Sequence, residues 1–433
     1  MCYNHRVFGG KEKKMSIEKN KNGKIVALLC AVYFVSYFTR KDFAAVMVGM
    51  IKSDIITNSD GGFIGMGLFI MYGLGQLVSG FLGDKMKPHH LLIGGLSLTA
   101  ICNLAMPFMP SGTAMIPIWA LNGFAQAMLW PPILRLLAEN LSGEAFVRGN
   151  LVVTSAAHAA TIILYLYVPV CLELFSWKTV FISASALAAI VLLIFAFAIG
   201  RILEHDAKKG DTDAPVSDNH TEKASGGLVK IMKSAGLFPI LFAIIATGYL
   251  RDGIESWLPT LYADSFGKSA SESVLVSVIL PVFSIASIML VTAIHKKPLF
   301  NNEARGCTII FGISFAASLA LSLLLTVKNP VISFVCLLLA ALSCASMHGC
   351  NFLYISCLPG RFKSTGKVST VGGICNAFVY IGAAVSMYAM ALVSETLGWV
   401  ANTLIWAGVS ALGATLSLIA YKKYTAFISE NSN

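Results

Sequence analysis

Charge is scarce in this chain: Asp, Glu, Lys and Arg together make up 12% of its 433 residues, about half the share of an ordinary soluble domain. A soluble multidomain enzyme is excluded on that ground. No GxxxxGK[ST] loop is present, so work driven by a bound nucleotide is unsupported. Nor is there a nucleophile set beside a base on a polar platform, which argues against an enzyme of any kind. Cysteines are not scarce, but Cys30, Cys171, Cys336 and Cys344 sit inside apolar runs and read as small packing residues. The spacing of Cys344, Cys350, Cys357 and Cys375 suits neither a zinc site nor a disulfide framework. His89 and His90 follow Pro88 in a turn with no third ligand in view. No metal and no cofactor are expected. Lys and Arg exceed Asp and Glu by 32 to 22, yet no basic stripe interleaved with aromatics accompanies the excess, so no nucleic-acid partner is expected.

What the chain has in plenty is apolar sequence, 56% of the total, much of it in runs of about 20 residues, enough to cross a hydrocarbon core. Hydropathy with turn and charge punctuation predicts an all-α integral membrane protein of twelve transmembrane helices in two six-helix bundles. The spans fall at about 24–51, 61–83, 90–110, 113–139, 147–172, 178–200, 235–262, 273–294, 305–326, 330–356, 368–394 and 399–421. The expected organisation is a polar N-terminal segment 1–23, a bundle 24–200, a linker 201–234 rich in Lys, Asp and Ser, a bundle 235–421 and a tail 422–433. Residues 1–14 show no pattern assignable to structure, and Met15 is a second candidate initiator. The first apolar run is too long for a cleaved signal peptide. Twenty-five of the 32 basic residues fall on the side of both termini and the linker; only Lys52, Lys178, Lys268 and Lys328 fall opposite. Both termini are therefore expected in the cytoplasm, and the protein in the cell membrane.

The halves echo each other. Arg40 and Arg251 lie on the first and seventh spans, Gly149 and Gly366 at the entries to the fifth and eleventh, and Trp177 and Trp399 at the entries to the sixth and twelfth. Such parallel repeats resemble the architecture of major facilitator superfamily carriers. The stretch Gly80-Phe-Leu-Gly83-Asp84-Lys85-Met-Lys87 resembles that superfamily's signature loop, with Met86-Lys87 where a glycine and a basic residue are usual. It reads as a conformational latch in which small residues let helix ends approach. Arg135 is expected to pair with Asp84 at the same rim.

Ionisable residues at membrane depth are costly and mark function by default. Arg40, Lys41 and Asp42 on the first span, and Arg251, Asp252 and Glu255 on the seventh, are such residues. At 1.5 Å per residue both arginines fall about 4 Å from the middle of their spans. Two readings stay open at this point: paired guanidiniums holding an oxyanion between the halves, or internal neutralisation by the three carboxylates. Lys41 points about 100° away from Arg40 and is assigned to a gate with Glu255 or Asp252. His158 lies at the same depth and can gain charge as an anion arrives. His348 on the tenth span could line the same space, and Pro131-Pro132 should bend the fourth.

The stretch Tyr33-Phe-Val-Ser-Tyr37-Phe-Thr-Arg40-Lys41-Asp42-Phe43 resembles the first helix of the organophosphate:phosphate antiporters. Asn122-Gly-Phe-Ala-Gln126 with Trp130-Pro131-Pro132 and Arg135, Arg148-Gly149 with Ala157-His158, and Arg251-Asp-Gly253 with Trp257, Pro259 and Tyr262 resemble the family's fourth, fifth and seventh helices. The resemblance implies exchange of a small organophosphate, of sugar-phosphate or glycerol-phosphate type, for inorganic phosphate by alternating access. It implies that Arg40 and Arg251 clamp phosphate, that His158 assists, and that Tyr33, Tyr37 and Trp130 lie near the ligand. A functional monomer is expected. Two departures bear on substrate: Gln76 stands where several members have Lys, and Gly248 where some have Tyr. The competing readings are a proton-coupled symporter of an organic anion, with Asp42, Asp252, Glu255 or His158 carrying the proton, and a non-transporting sugar-phosphate sensor.

Overall fold

The computed structural model describes residues 4–208 and 227–431, and the side chains among them apart from 4–21, 77, 80–84, 202–208, 228 and 431. The described chain is helical, as a backbone in hydrocarbon must be to satisfy its own polar groups. The first half comprises α1 (Asn4–Lys52), α2 (Asn58–Lys85), α3 (Pro88–Ala105), α4 (Gly112–Ala127), α5 (Trp130–Asn140), α6 (Gly143–Leu174) and α7 (Trp177–Lys208). The second comprises α8 (Leu228–Ser234), α9 (Leu237–Phe266), α10 (Ala270–Val276), α11 (Ile279–Ile294), α12 (Glu303–Leu324), α13 (Pro330–Asn351), α14 (Val368–Thr396) and α15 (Gly398–Asn431). Ten helices or joined helices are long and apolar enough to cross a membrane among the described residues.

Helix ends depart from the sequence reading in both directions. α1 begins at Asn4, inside the stretch for which no structure was assignable, and α15 runs to Asn431, into the stretch read as a tail. α7 reaches Lys208 and α8 occupies 228–234, both within the segment read as linker. Gly80–Lys85, read as a loop, belongs to α2. The turn is shorter than expected because Pro88 opens α3 and holds Lys87 extended (φ −67°, ψ 135°).

Prolines set the breaks that matter. Pro131 and Pro132 lack the N–H groups that would continue α4, so the helix stops at Ala127 and restarts at Trp130. α13 passes at Asn351 into a π-helical turn, Phe352–Cys357, and a 3₁₀ stretch that carries Pro359.

Packing is duplicated. In the first half α1 packs on α6 and α7, α2 on α4, and α3 on α7; in the second half α9 packs on α14 and α15, α11 on α13, and α12 on α15. Across the halves the pairs are α2 with α14, α6 with α10 and α11, and α1 with α9. Exchanging each helix for its counterpart in the other half returns the same pairs within the halves and the main ones across them, as expected of a two-fold repeat; an additional α1–α10 contact departs from it.

The halves meet on the side away from the termini. There Lys52 donates to the Lys268 carbonyl, Ser59 N–H donates to Glu395 (2.8 Å), and Asn58 donates to Ser394 (3.2 Å). α2 and α14 approach so closely that a Cβ at Gly62 would lie 2.7 Å from the Ala391 Cβ and one at Gly65 2.2 Å from the Met387 methyl. One apolar core runs through both halves. A second, around Leu29, Leu96, Leu137 and Phe195, contains first-half residues alone and marks the termini side, where the halves part.

Candidate functional site

Between the halves lies a cavity of about 560 Å³, within the usual range for small-molecule sites. Arg40, Arg251 and His158 all line it, as do Tyr33, Tyr37 and Trp130. It extends toward the termini side past Gln76, Leu134, Ser356 and Gly373.

The two arginines are held differently. Arg40 lies over the Tyr37 ring (4.2 Å to the centroid) and near the Tyr72 ring (5.3 Å), a cation–π arrangement that orients the guanidinium without neutralising it. Among the described residues no carboxylate pairs with it, and its Nε is buried with no hydrogen-bond partner. Arg251 is neutralised: its Nε and Nη2 donate to Asp252 Oδ2 at 3.1 and 2.6 Å, and its Nη1 donates to Asn351 Oδ1 at 2.7 Å.

Of the two carboxylates expected as partners for Lys41, Glu255 is the nearer. Lys41 Nζ donates to Glu255 Oε2 at 2.8 Å across the α1–α9 contact, and Asp252 Oδ1 lies 3.9 Å from the same ammonium. All three groups are buried. Tyr165 donates from α6 to the Glu255 backbone carbonyl at 3.3 Å. Internal neutralisation, the second open reading, thus covers Arg251 and Lys41 but leaves Arg40 out.

Asp42 stands apart from this network. It is fully buried, its Oδ1 accepts the Phe43 N–H (2.8 Å), and its Oδ2 has no partner among the described residues. The Thr39 carbonyl one turn back accepts from the side-chain amides of Asn103 (3.2 Å) and Asn122 (3.0 Å). Gln126 joins them, donating to Thr39 Oγ1 and accepting from Ser36. This polar cluster ties α1 to α3 and α4 and fixes the helix from which Arg40 projects.

Aromatic rings build the wall around Arg40. Tyr33 meets Tyr37 edge-on (5.1 Å) and lies against Trp130 (4.7 Å, 30°), which the α4–α5 break brings into the cavity. Tyr72 packs on Tyr380 from the other half at 4.4 Å. Tyr72, Tyr380 and Asn351 are cavity residues to which the sequence reading gave no role; tyrosines in the middle of apolar spans were the available signal.

His158 Nδ1 lies 3.1 Å from the Thr154 carbonyl. A carbonyl only accepts, so Nδ1 carries hydrogen, and Nε2 accepts in the neutral ring and donates once the ring is charged. His348 lines the cavity as well, its Nε2 buried without a partner among the described residues. Gln76 accepts from Asn376 across the halves at 3.3 Å. Gly248 is not among the residues that line the cavity: a Cβ there would lie 2.0 Å from the Val379 carbonyl oxygen. Its place is a close α9–α14 backbone contact, and α9 is continuous through neighbouring Tyr249. Of the expected latch, the packing of Gly80, Gly83 and Asp84 lies outside the described residues. Lys85 is exposed, and Arg135 pairs with Glu139 (2.7 Å) and donates to the Met86 carbonyl (3.4 Å).

Comparison with known proteins agrees with this architecture. The chain is 33% identical over 107 residues to the "Probable hexose phosphate transport protein" of Chlamydia muridarum (strain MoPn / Nigg), covering 25% of this chain and 24% of that one. It is 36% identical over 105 residues to the "Membrane sensor protein UhpC" of Salmonella typhimurium, covering 24% of each. To the "Glycerol-3-phosphate transporter" of Bacillus subtilis (strain 168) it is 26% identical over 258 residues, covering 55% of this chain and 56% of the other. The chain thus spans between a quarter and just over half the length of these curated relatives. The crystal structure of the POT family transporter PepTSo superposes with a TM-score of 0.70 at 11% identity, over 93% of this chain and 98% of that one, a likeness of fold. The model of the Major Facilitator Superfamily matches residues 29–369. The chain is a multi-pass membrane protein that belongs to the Major Facilitator Superfamily, and over part of its length it is similar to proteins named as organophosphate transporters.

Proposed function

We propose that this protein exchanges a small organophosphate for inorganic phosphate by alternating access. The observation that carries the reading is Arg40: a guanidinium at membrane depth, seated on two tyrosine faces in a cavity between the halves, with no carboxylate among the described residues to balance it. A planar fork in such a place suits the bidentate geometry of a phosphoryl group. Arg251 supplies the second half's contact, His158 adds a donor once charged, and Tyr33, Tyr37 and Trp130 face the organic part. Lys41, Asp252 and Glu255 join the halves at the level of the ligand. The names of the relatives support the substrate class.

In this reading the chain crosses the cell membrane twelve times, α2 and the broken α4–α5 pair adding to the ten helices above. The two bundles are 24–200 and 235–421, the termini are cytoplasmic, and one copy suffices. The conformation is then the one open to the cytoplasm. An empty carrier leaves Arg40 without a counterion, which disfavours reorientation and favours exchange over net flux. Proteoliposomes test this directly: uptake of labelled sugar phosphate or glycerol phosphate should require phosphate inside, and equal uptake into unloaded vesicles would refute strict exchange. The likeness to a membrane sensor favours one second reading: phosphate-displaceable binding with no flux in either direction would make this chain a sensor.

A further inference from the structure

Neighbouring positions on a helix point about 100° apart and do not face each other. For Arg251 to bond Asp252, its side chain has to curl back along α9 instead of reaching across the cavity, and it does so through two of its nitrogens, at 2.6 and 3.1 Å to the same oxygen. Asn351 takes a third position at 2.7 Å. Asp252 has a second cation within reach, since its other oxygen lies 3.9 Å from Lys41. Its carboxylate is largely buried, which limits how far water weakens the contact. Among the described residues Arg40 has no such resident partner. The cavity therefore holds three fixed cations, Arg40, Lys41 and Arg251, against two carboxylates, Asp252 and Glu255, but the surplus sits on one arginine only.

We infer that Asp252 is an internal competitor for the anion seat: a ligand bridges both arginines only by displacing the Asp252 carboxylate from Arg251 toward Lys41. This rests on the reading of the cavity as a phosphate site and deepens it into a rule of selectivity. A singly charged anion such as a monocarboxylate would replace one carboxylate with another and gain nothing for the translational freedom it loses. A phosphoryl dianion brings a second charge and a fork-matched set of oxygens, so it can take Arg251 while keeping Arg40. Asp252 thus sets a charge threshold for admission, and the α9 residue next to the arginine is the selectivity determinant.

The test is binding of labelled inorganic phosphate to the purified full chain by scintillation proximity, with thermal melts to verify folding. Asp252→Asn frees the fork and should tighten phosphate roughly tenfold or more, the gain expected when a competent state becomes the dominant one. Acetate should begin to displace phosphate in that variant. Asn351→Asp puts another carboxylate on the same guanidinium and should weaken phosphate by a similar factor; having the opposite sign, it decides alone where Asp252→Asn does not fold. Glu255→Gln removes the same charge from the cavity but not from the fork and should change affinity less than Asp252→Asn. If phosphate binds the wild type and Asp252→Asn is equal or weaker, or Glu255→Gln matches it, the competitor role is overturned while the phosphate site stands. If only Asp252→Asn binds phosphate, the competitor role stands and phosphate exchange by the natural chain falls. If no variant binds phosphate, both fall.

Discussion

Replacing Arg40 by Lys keeps the charge and removes the fork, and so isolates geometry from electrostatics. Arg40 lies 4.2 Å above one tyrosine ring and 5.3 Å from another, with no carboxylate sharing its nitrogens among the described residues. Its N–H groups are therefore available to a ligand, and no internal ion pair is broken by the change. A phosphoryl group held through two parallel N–H···O bonds loses one of them in Arg40→Lys. A charge-assisted bond is worth about 1.5–3 kcal/mol, so affinity should fall about 10- to 150-fold, each 1.4 kcal/mol being tenfold. Arg40→Gln loses the charge too and should bind no measurable phosphate. The assay is equilibrium phosphate binding to purified protein, followed by exchange in phosphate-loaded proteoliposomes, with melting temperature as the control for folding. A folded Arg40→Lys protein within twofold of wild type would show that the fork contributes nothing and that Arg40 is not a phosphate ligand.

Three other perturbations follow from the geometry. Lys41→Met or Glu255→Gln alone leaves a buried charge without its 2.8 Å partner and should cost about 3–5 kcal/mol. The double variant Lys41→Met/Glu255→Gln, which leaves neither charge behind, should recover much of that loss in thermal stability, and failure to recover would mean the pair is not coupled. Gly248→Ala forces a methyl to within 2.0 Å of the Val379 carbonyl oxygen, an overpacking expected to cost at least about 1–3 kcal/mol; an unchanged melting temperature would contradict the packed α9–α14 contact. Trp130→Ala removes the ring that lies 4.7 Å from Tyr33 and is worth about 0.5–1.5 kcal/mol beyond its area. Sugar phosphate affinity should fall several-fold while inorganic phosphate is little affected; equal losses for both would place Trp130 away from the organic part.

The sequence made the membrane class and the cavity's main residues legible because both follow from cost. Long uncharged runs have one stable environment, and Arg40, Arg251 and His158 stand out because ionisable groups at such depth need a reason. What the sequence did not reveal was partner choice. Asp252 and Glu255 are three residues apart on one helix, so spacing alone does not say which one reaches Lys41 and which one turns to Arg251. The answer depends on the position of α1 against α9 and on Asn351, which the tertiary fold brings from α13. Gly248 was misread for a related reason. A glycine in an apolar helix looks like a missing side chain, whereas here the absence of a Cβ is what lets two backbones touch. Helix ends were least legible, since Gly80–Lys85 has the composition of a loop yet continues α2.

The asymmetry between the two arginines bears on how a cavity at this depth can be both stable and responsive. Two unbalanced guanidiniums would each cost about 2.5–3.5 kcal/mol on the insertion scale, and two fully balanced ones would have nothing left for a ligand. Here Arg251 is balanced by Asp252 and Arg40 is placed on tyrosine faces, which lowers its cost without using its donors. On the proposed reading, an arriving anion meets one ready contact, on the first half, and gains the second, on the other half, only as Asp252 moves toward Lys41. Binding is thereby tied to a rearrangement at the α1–α9 junction, where the Lys41–Glu255 pair joins the halves. A ligand that engages Arg40 alone does not disturb that junction, so it should bind without promoting the change of access.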